Sequence, residues 1–200
     1  MREYDILCVT NRKLCQDEFL RRIDLIASNH PAGIILREKD LPEPEYEVLA
    51  KQVMDICSRY GVPCILHNFT DVALKLGAQA IHVPLPVLRR MTAEQKASLC
   101  VLGASCHSAE DAREAEQLGC TYITVGHIFD TNCKKGIPGR GLEFLREVCG
   151  FAHIPVYAIG GIAPDNVADV RRAGAAGICI MSRLMQCENP EEEIEALANH

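Results

Sequence analysis

Eight short apolar runs, each separated from the next by a longer amphipathic stretch, constrain this chain more than any other feature. They fall at Tyr4–Val9, Gly33–Leu36, Pro63–Leu66, Ala80–Val83, Val101–Ala104, Tyr122–Val125, Val156–Ile159 and Gly177–Met181. Their residues are mostly apolar or β-branched, the composition of strands buried on both faces. The stretches between them, such as Glu45–Arg59, Ala109–Leu118 and Asp165–Ala173, read as amphipathic helices. Ser108 followed by Asp111 reads as a helix start, and Pro164-Asp165 as a helix first turn. Gly61, Gly77, Gly119 and Gly174 mark helix ends shortly before the next strand. Strands that alternate with helices pair in parallel, which places the chain in the α/β class. A closed barrel and an open doubly wound sheet both meet that pattern. The count of eight, and the lack of a Gly-x-Gly-x-x-Gly turn after the first strand, favour a (β/α)₈ TIM barrel.

At 200 residues the expectation is one such domain over positions 1–200, with brief loops. One connection is long. Gly126–Arg140, after the sixth strand, is expected to lie over the active face. The N-terminus has no signal-peptide pattern, and no apolar run approaches the roughly 18–20 residues of a membrane span. A cytoplasmic protein is expected. A net charge of −6 argues against nucleic acid or anionic membrane as partner, so an anionic substrate would need a local basic pocket. Eleven cysteines cannot all pair within one chain, and none form a Cys-x-x-Cys. Cys8, Cys64 and Cys179 lie in apolar runs, where a thiol is a small buried hydrophobe, so free thiols in a reducing compartment are expected.

In barrels of this kind the active site lies at the C-terminal strand ends, and the loops after strands seven and eight often hold a phosphate. Strand seven ends Ile159-Gly160-Gly161, where two glycines let backbone N–H groups approach an anion. Strand eight ends Ile180-Met181-Ser182-Arg183, with a hydroxyl and a following helix start. A tight turn is the plain alternative for the glycines. Strand two ends Leu36-Arg37-Glu38-Lys39, either a solvated charge run or cations facing the substrate. The sixth strand runs into Gly126-His127, followed by Thr131 and by Lys134-Lys135 in the long loop. His127 is a candidate acid/base or a structural imidazole. Ser105 and His107 follow the fifth strand, and His107 is equally placed to be a helix-entry residue.

Taken in order, Leu36–Lys39, Gly103–Ser108, Gly126–Lys134, Ala158–Ile162 and Gly177–Ser182 resemble the thiamine phosphate synthase superfamily over strands two to eight. That resemblance implies the same barrel, with the phosphate at strands seven and eight. Its synthase branch carries magnesium-binding aspartates after strands three and four. Here those places read His67-Asn68-Phe69 and Pro84-Leu85-Pro86-Val87, and Phe69 replaces a basic residue that helps hold the diphosphate. An amide and an aliphatic side chain are poor ligands for a hard cation. The loop Gly126-His127 with Cys133-Lys134-Lys135-Gly136 is similar to that of the TenI-type thiazole tautomerases, in which the histidine is the proposed acid/base. The resemblance therefore implies an isomerase without metal or redox cofactor. It would aromatise a carboxythiazole ethyl phosphate tautomer through His127. Arg37, Lys39, Ser105, Thr131, Lys134, Gly160, Gly161, Met181 and Ser182 would contact the small phosphorylated thiazole. Which cation meets carboxylate and which meets phosphate is left open. A homodimer is implied. The alternatives are thiamine phosphate synthase itself, or a regulatory protein that binds a thiazole or thiamine phosphate without turnover.

Overall fold

The structure is a computed structural model that describes residues 4–199. Its centre is a closed, all-parallel eight-stranded barrel in which every strand pairs with the next in sequence and the last returns to the first. The strands are β1 (Tyr4–Val9), β2 (Pro31–Leu36), β3 (Cys64–His67), β4 (Ala80–Pro84), β5 (Val101–Cys106), β6 (Tyr122–Gly126), β7 (Val156–Ile159) and β8 (Gly177–Ile180). The helices are α1 (Phe19–Ala27), α2 (Glu43–Tyr60), α3 (Thr70–Lys75), α4 (Leu85–Leu88), α5 (Ala93–Ala97), α6 (Ala109–Gln117), α7 (Gly141–Phe151), α8 (Val167–Arg172), α9 (Ser182–Gln186) and α10 (Pro190–Ala198). The TIM barrel read from the sequence is thus present.

Several ends differ from expectation. β2 begins two residues early because Pro31 pairs with Tyr4 of β1. β3 shifts by one because it pairs from Cys64 on with β2 and reaches His67, which pairs with His82 of β4. β8 stops at Ile180, and Met181 instead caps α9. Pro164-Asp165 does not open a helix. Asn166 is the cap of α8, and its side chain closes the turn before it by accepting from the Ala163 N–H and donating to the Gly161 carbonyl. Ser108 does cap α6, accepting from the Asp111 N–H at 3.0 Å. Cys8 and Cys179 are buried as expected, whereas Cys64 is only half-buried because it opens its strand.

Helix α2 shows why these segments take their places. Glu43 and Glu45 sit in its first turn, where the helix dipole favours negative charge. Tyr46, Ala50, Val53 and Cys57 recur at helical spacing and are buried, while Gly61, left-handed at φ 66°, ends it. Two apolar layers result. The larger one lies between barrel and helices, and a smaller one inside the barrel joins Leu7, Val9, Ile35, Ile65, Ala80, Tyr122 and Cys179. Those inner positions follow the two-residue alternation of a strand. Continued toward the C-terminal ends, the same alternation turns Arg37, His67, His82, Ser105 and Thr124 inward.

Candidate active site

The inward positions above the apolar layer are polar, and they touch one another. His82 Nδ1 lies 2.9 Å from the Tyr122 hydroxyl, and its Nε2 lies 2.9 Å from Ser105 Oγ and 3.4 Å from Thr124 Oγ1. The rings of His67 and His82 stack with centroids 6.0 Å apart. Burial, then the nearby Lys39 ammonium, pulls His82 down to about 3. Burial, then His82, Lys39 and Arg37, pulls His67 down to about 2. Both rings are therefore neutral at neutral pH, and His82 hydrogen-bonds through both of its nitrogens.

The second strand's charged run splits by direction. Glu38 is buried, accepts from the Thr10 hydroxyl at 2.6 Å and from the Arg12 N–H, and pairs with the Arg12 guanidinium at 3.3 Å. Arg37, half-buried, donates its N–H to Thr10 Oγ1 at 2.9 Å. Partial loss of water, then the charges of Arg37 and Lys134, lowers the pKa of Lys39. Lys39 thus lies within the field of both Arg37 and Lys134, although the three come from two loops. Glu38, committed to Arg12, does not cancel them. Opposite-charge ligands favour such a cluster.

His127 follows β6 through a cis Gly126-His127 peptide and is 5% exposed. His107 donates from Nδ1 to the Gly126 carbonyl, 2.8 Å away, so it braces the peptide before His127 from an exposed position. The His127 Nε2 lies 3.0 Å from the Ile137 carbonyl oxygen, and Nδ1 is buried without a hydrogen-bond partner. The long connection is a strap that folds back over this imidazole. The Arg140 N–H donates to the His127 carbonyl and the Gly139 N–H donates to Asp130 Oδ1 at 2.8 Å. Thr131 caps a short 3₁₀ turn over Asn132–Lys134. With Lys134, Ile137 and Pro138, Thr131 and Asp130 line an open cavity of about 550 Å³.

Gly160 and Gly161 leave β7 at φ 99° and 68°, and the first lies directly against His127. The pairing of Ile159 with Cys179 sets this turn beside Met181 and Ser182, the half-buried start of α9. The expected site residues thus gather at one end of the barrel. Thr131 stands apart from the polar layer: it belongs to the strap. Sequence reasoning passed over His67, His82, Tyr122 and Glu38. The signal was available for His82, a polar residue at an inward position of an otherwise apolar strand.

The magnesium site implied by the synthase branch is not matched here. Asn68, at φ 71°, donates its N–H to the His82 carbonyl, Phe69 packs on the Tyr46 ring at 4.4 Å, and Val87 packs on the core. Among the described residues no group of three or more His, Cys, Asp or Glu could hold a metal ion. The residues present do not fit a divalent cation held by paired carboxylates. Nor does any helix among them have the length and apolarity to cross a membrane.

A family model described as thiamine monophosphate synthase (TMP-TENI) matches residues 6–184. Thiamine-phosphate synthase 2 of Streptococcus pneumoniae is 33% identical over 94% of this chain and 90% of its own length. Thiamine-phosphate synthase of Clostridium tetani is 34% identical over 81% and 78%. Among solved structures, thiamine phosphate pyrophosphorylase from Pyrococcus furiosus superposes with a TM-score of 0.83 at 28% identity, covering 97% of this chain and 93% of that one. A 3-hexulose-6-phosphate synthase, at 15% identity and a TM-score of 0.72, shares the fold.

Proposed function

Because the chain belongs to the thiamine monophosphate synthase family, we propose that it acts in thiamine biosynthesis as a thiazole tautomerase. It would aromatise a carboxythiazole ethyl phosphate tautomer. The observation that carries this reading is His127, a buried imidazole with one bare ring nitrogen, set against the β7 glycine turn. The reaction removes a proton from the ring carbon bearing the carboxylate and delivers one to the exocyclic alkene carbon. An imidazole suits both halves, since it takes and returns a proton near neutrality. Arg37, Lys39 and Lys134 supply cationic charge for a substrate that carries both a carboxylate and a phosphate. Gly160, Gly161 and the Met181-Ser182 start of α9 offer backbone donors and a hydroxyl for the phosphate, and Ser105, held by His82, faces the ring. We further propose a homodimer, which light scattering would test.

A second reading, thiamine phosphate synthase, is favoured by the names of the relatives, every one cited above at 33–34% identity being called a synthase. It requires a diphosphate and a metal-assisted displacement, and Asn68, Phe69 and Val87 argue against it. One experiment separates the two. Purified protein is offered the thiazole tautomer with chelator, and in parallel the pyrimidine diphosphate and thiazole phosphate with magnesium. We expect chelator-insensitive aromatisation and no condensation. Condensation that needs magnesium, without aromatisation, establishes the synthase instead. His127→Gln should lower kcat of aromatisation by about 10²–10⁴-fold, the usual worth of one positioned acid/base group.

A further inference from the structure

The strap does more than cover His127. A carbonyl oxygen only accepts, so the Nε2 that faces Ile137 O at 3.0 Å must carry the ring proton when the imidazole is neutral. Nδ1 is then the bare, proton-accepting atom, and it is the buried atom without a partner. Which ring nitrogen can take a proton is therefore set by where the strap holds Ile137. Residue 137 itself contributes only its backbone, because its side chain is exposed. Its position depends on how the strap closes. Asp130 Oδ1 accepts the Gly139 N–H at 2.8 Å across nine residues, and the Arg140 N–H returns to the His127 carbonyl at 2.9 Å. An added Cβ at Gly139 would press on Phe129 Cα at 2.8 Å, so the closure is tight.

We propose that Asp130 is a positioning residue: by bonding Gly139 it closes the strap, holds the Ile137 carbonyl on His127 Nε2 and so assigns proton acceptance to Nδ1. This rests on the tautomerase reading for its catalytic consequence. The ring assignment does not. Nδ1 is shielded from solvent, and the tautomer is fixed before substrate arrives.

The test uses full-length protein with ¹⁵N-labelled histidine. In the wild type, His127 should show a protonated Nε2 and a bare Nδ1; the opposite tautomer overturns the proposal. Asp130→Ala should mix the two tautomers and lower kcat about tenfold, the scale of one hydrogen bond, with little change in KM. Asp130→Asn keeps an oxygen acceptor and should recover most of the loss, both in the ring spectrum and in kcat. An unaltered ring spectrum in folded Asp130→Ala, or an Asp130→Asn as impaired as Asp130→Ala, overturns it. If Asp130→Ala does not fold, the wild-type and Asp130→Asn spectra decide. A wild-type chain without turnover overturns the proposed function, and the ring spectra alone then judge the strap's hold on His127.

Discussion

His67 and His82 are imidazoles that the fold keeps neutral, and this has a direct cost in acid. Their folded values, about 2 and about 3, lie well below the ordinary histidine value near 6.5. As the pH falls through 6.5 the unfolded chain takes up protons that the folded chain refuses, so stability drops with pH. Each ring contributes at most about 1.4 kcal/mol per pH unit, and the effect continues toward pH 3. Between pH 6.5 and 4.5 most carboxylates are still ionised, so the histidines are the cleaner readout there. Urea unfolding across that window should show falling stability, and His82→Gln should flatten the slope. An equal slope in the variant would mean that His82 titrates freely. Glu38 shows a related point about residues and their neighbours. In sequence it sits between Arg37 and Lys39, in a run that carries no sign of its partner. In the structure it turns away to Thr10 and Arg12 instead of pairing with those two cations. Nothing local in Leu36-Arg37-Glu38-Lys39 reveals Arg12, which lies 26 residues earlier.

At the scale of elements, the end of β7 and the strap after β6 are one unit. Gly161 is left-handed, and a Cβ there would come within 2.6 Å of the Asp130 carbonyl and 2.7 Å of Phe129 Cβ. The glycine turn is thus required by the strap as well as being suited to an anion. Gly161→Ala should cost about 1–3 kcal/mol for the strained backbone, or roughly 2–12 °C in Tm for a chain of this size. It should weaken binding of a phosphate ester at the same time, as calorimetry would report. Normal affinity in a destabilised protein would move the phosphate elsewhere. The elements themselves were legible. Buried parallel strands advertise themselves as apolar runs, and each of the eight lies where its run does. Their ends were less so, because ladder pairing decides them: β5 gains Ser105 and Cys106 by pairing with Thr124 and Val125, which no local preference encodes. The start of α8 was misread because Pro164-Asp165 has the right composition, while the Asn166 side chain makes the turn.

Across the whole molecule, the interior of the barrel couples the apolar layer to the polar one through the size of its residues. Tyr122 fills space that exists only because Gly103 on the neighbouring strand has no side chain; a Cβ there would meet the Tyr122 ring and hydroxyl. That ring meets Tyr157 edge-on at 5.7 Å, and its hydroxyl holds His82, which holds Ser105. The barrel was predictable from the alternation of runs, and the shared end of the candidate site residues from their places at strand ends, but this stack was not. A glycine inside an apolar run carries no local sign of which ring crosses to fill its place. Gly103→Ala should therefore act at both levels. Overpacking a closed interior typically costs about 1–3 kcal/mol. The displaced Tyr122 would release His82, so kcat/KM for the proposed substrate should fall although residue 103 lies beneath the site. Tyr122→Leu removes the obstruction, so the two substitutions together should cost less stability than the sum of each alone, a coupling of about 1 kcal/mol or more. It should not restore kcat/KM, because the hydroxyl that holds His82 is gone from the double variant too. Strict additivity of the two stability losses would mean that the ring and the glycine do not share their space, and that the polar layer is held from elsewhere.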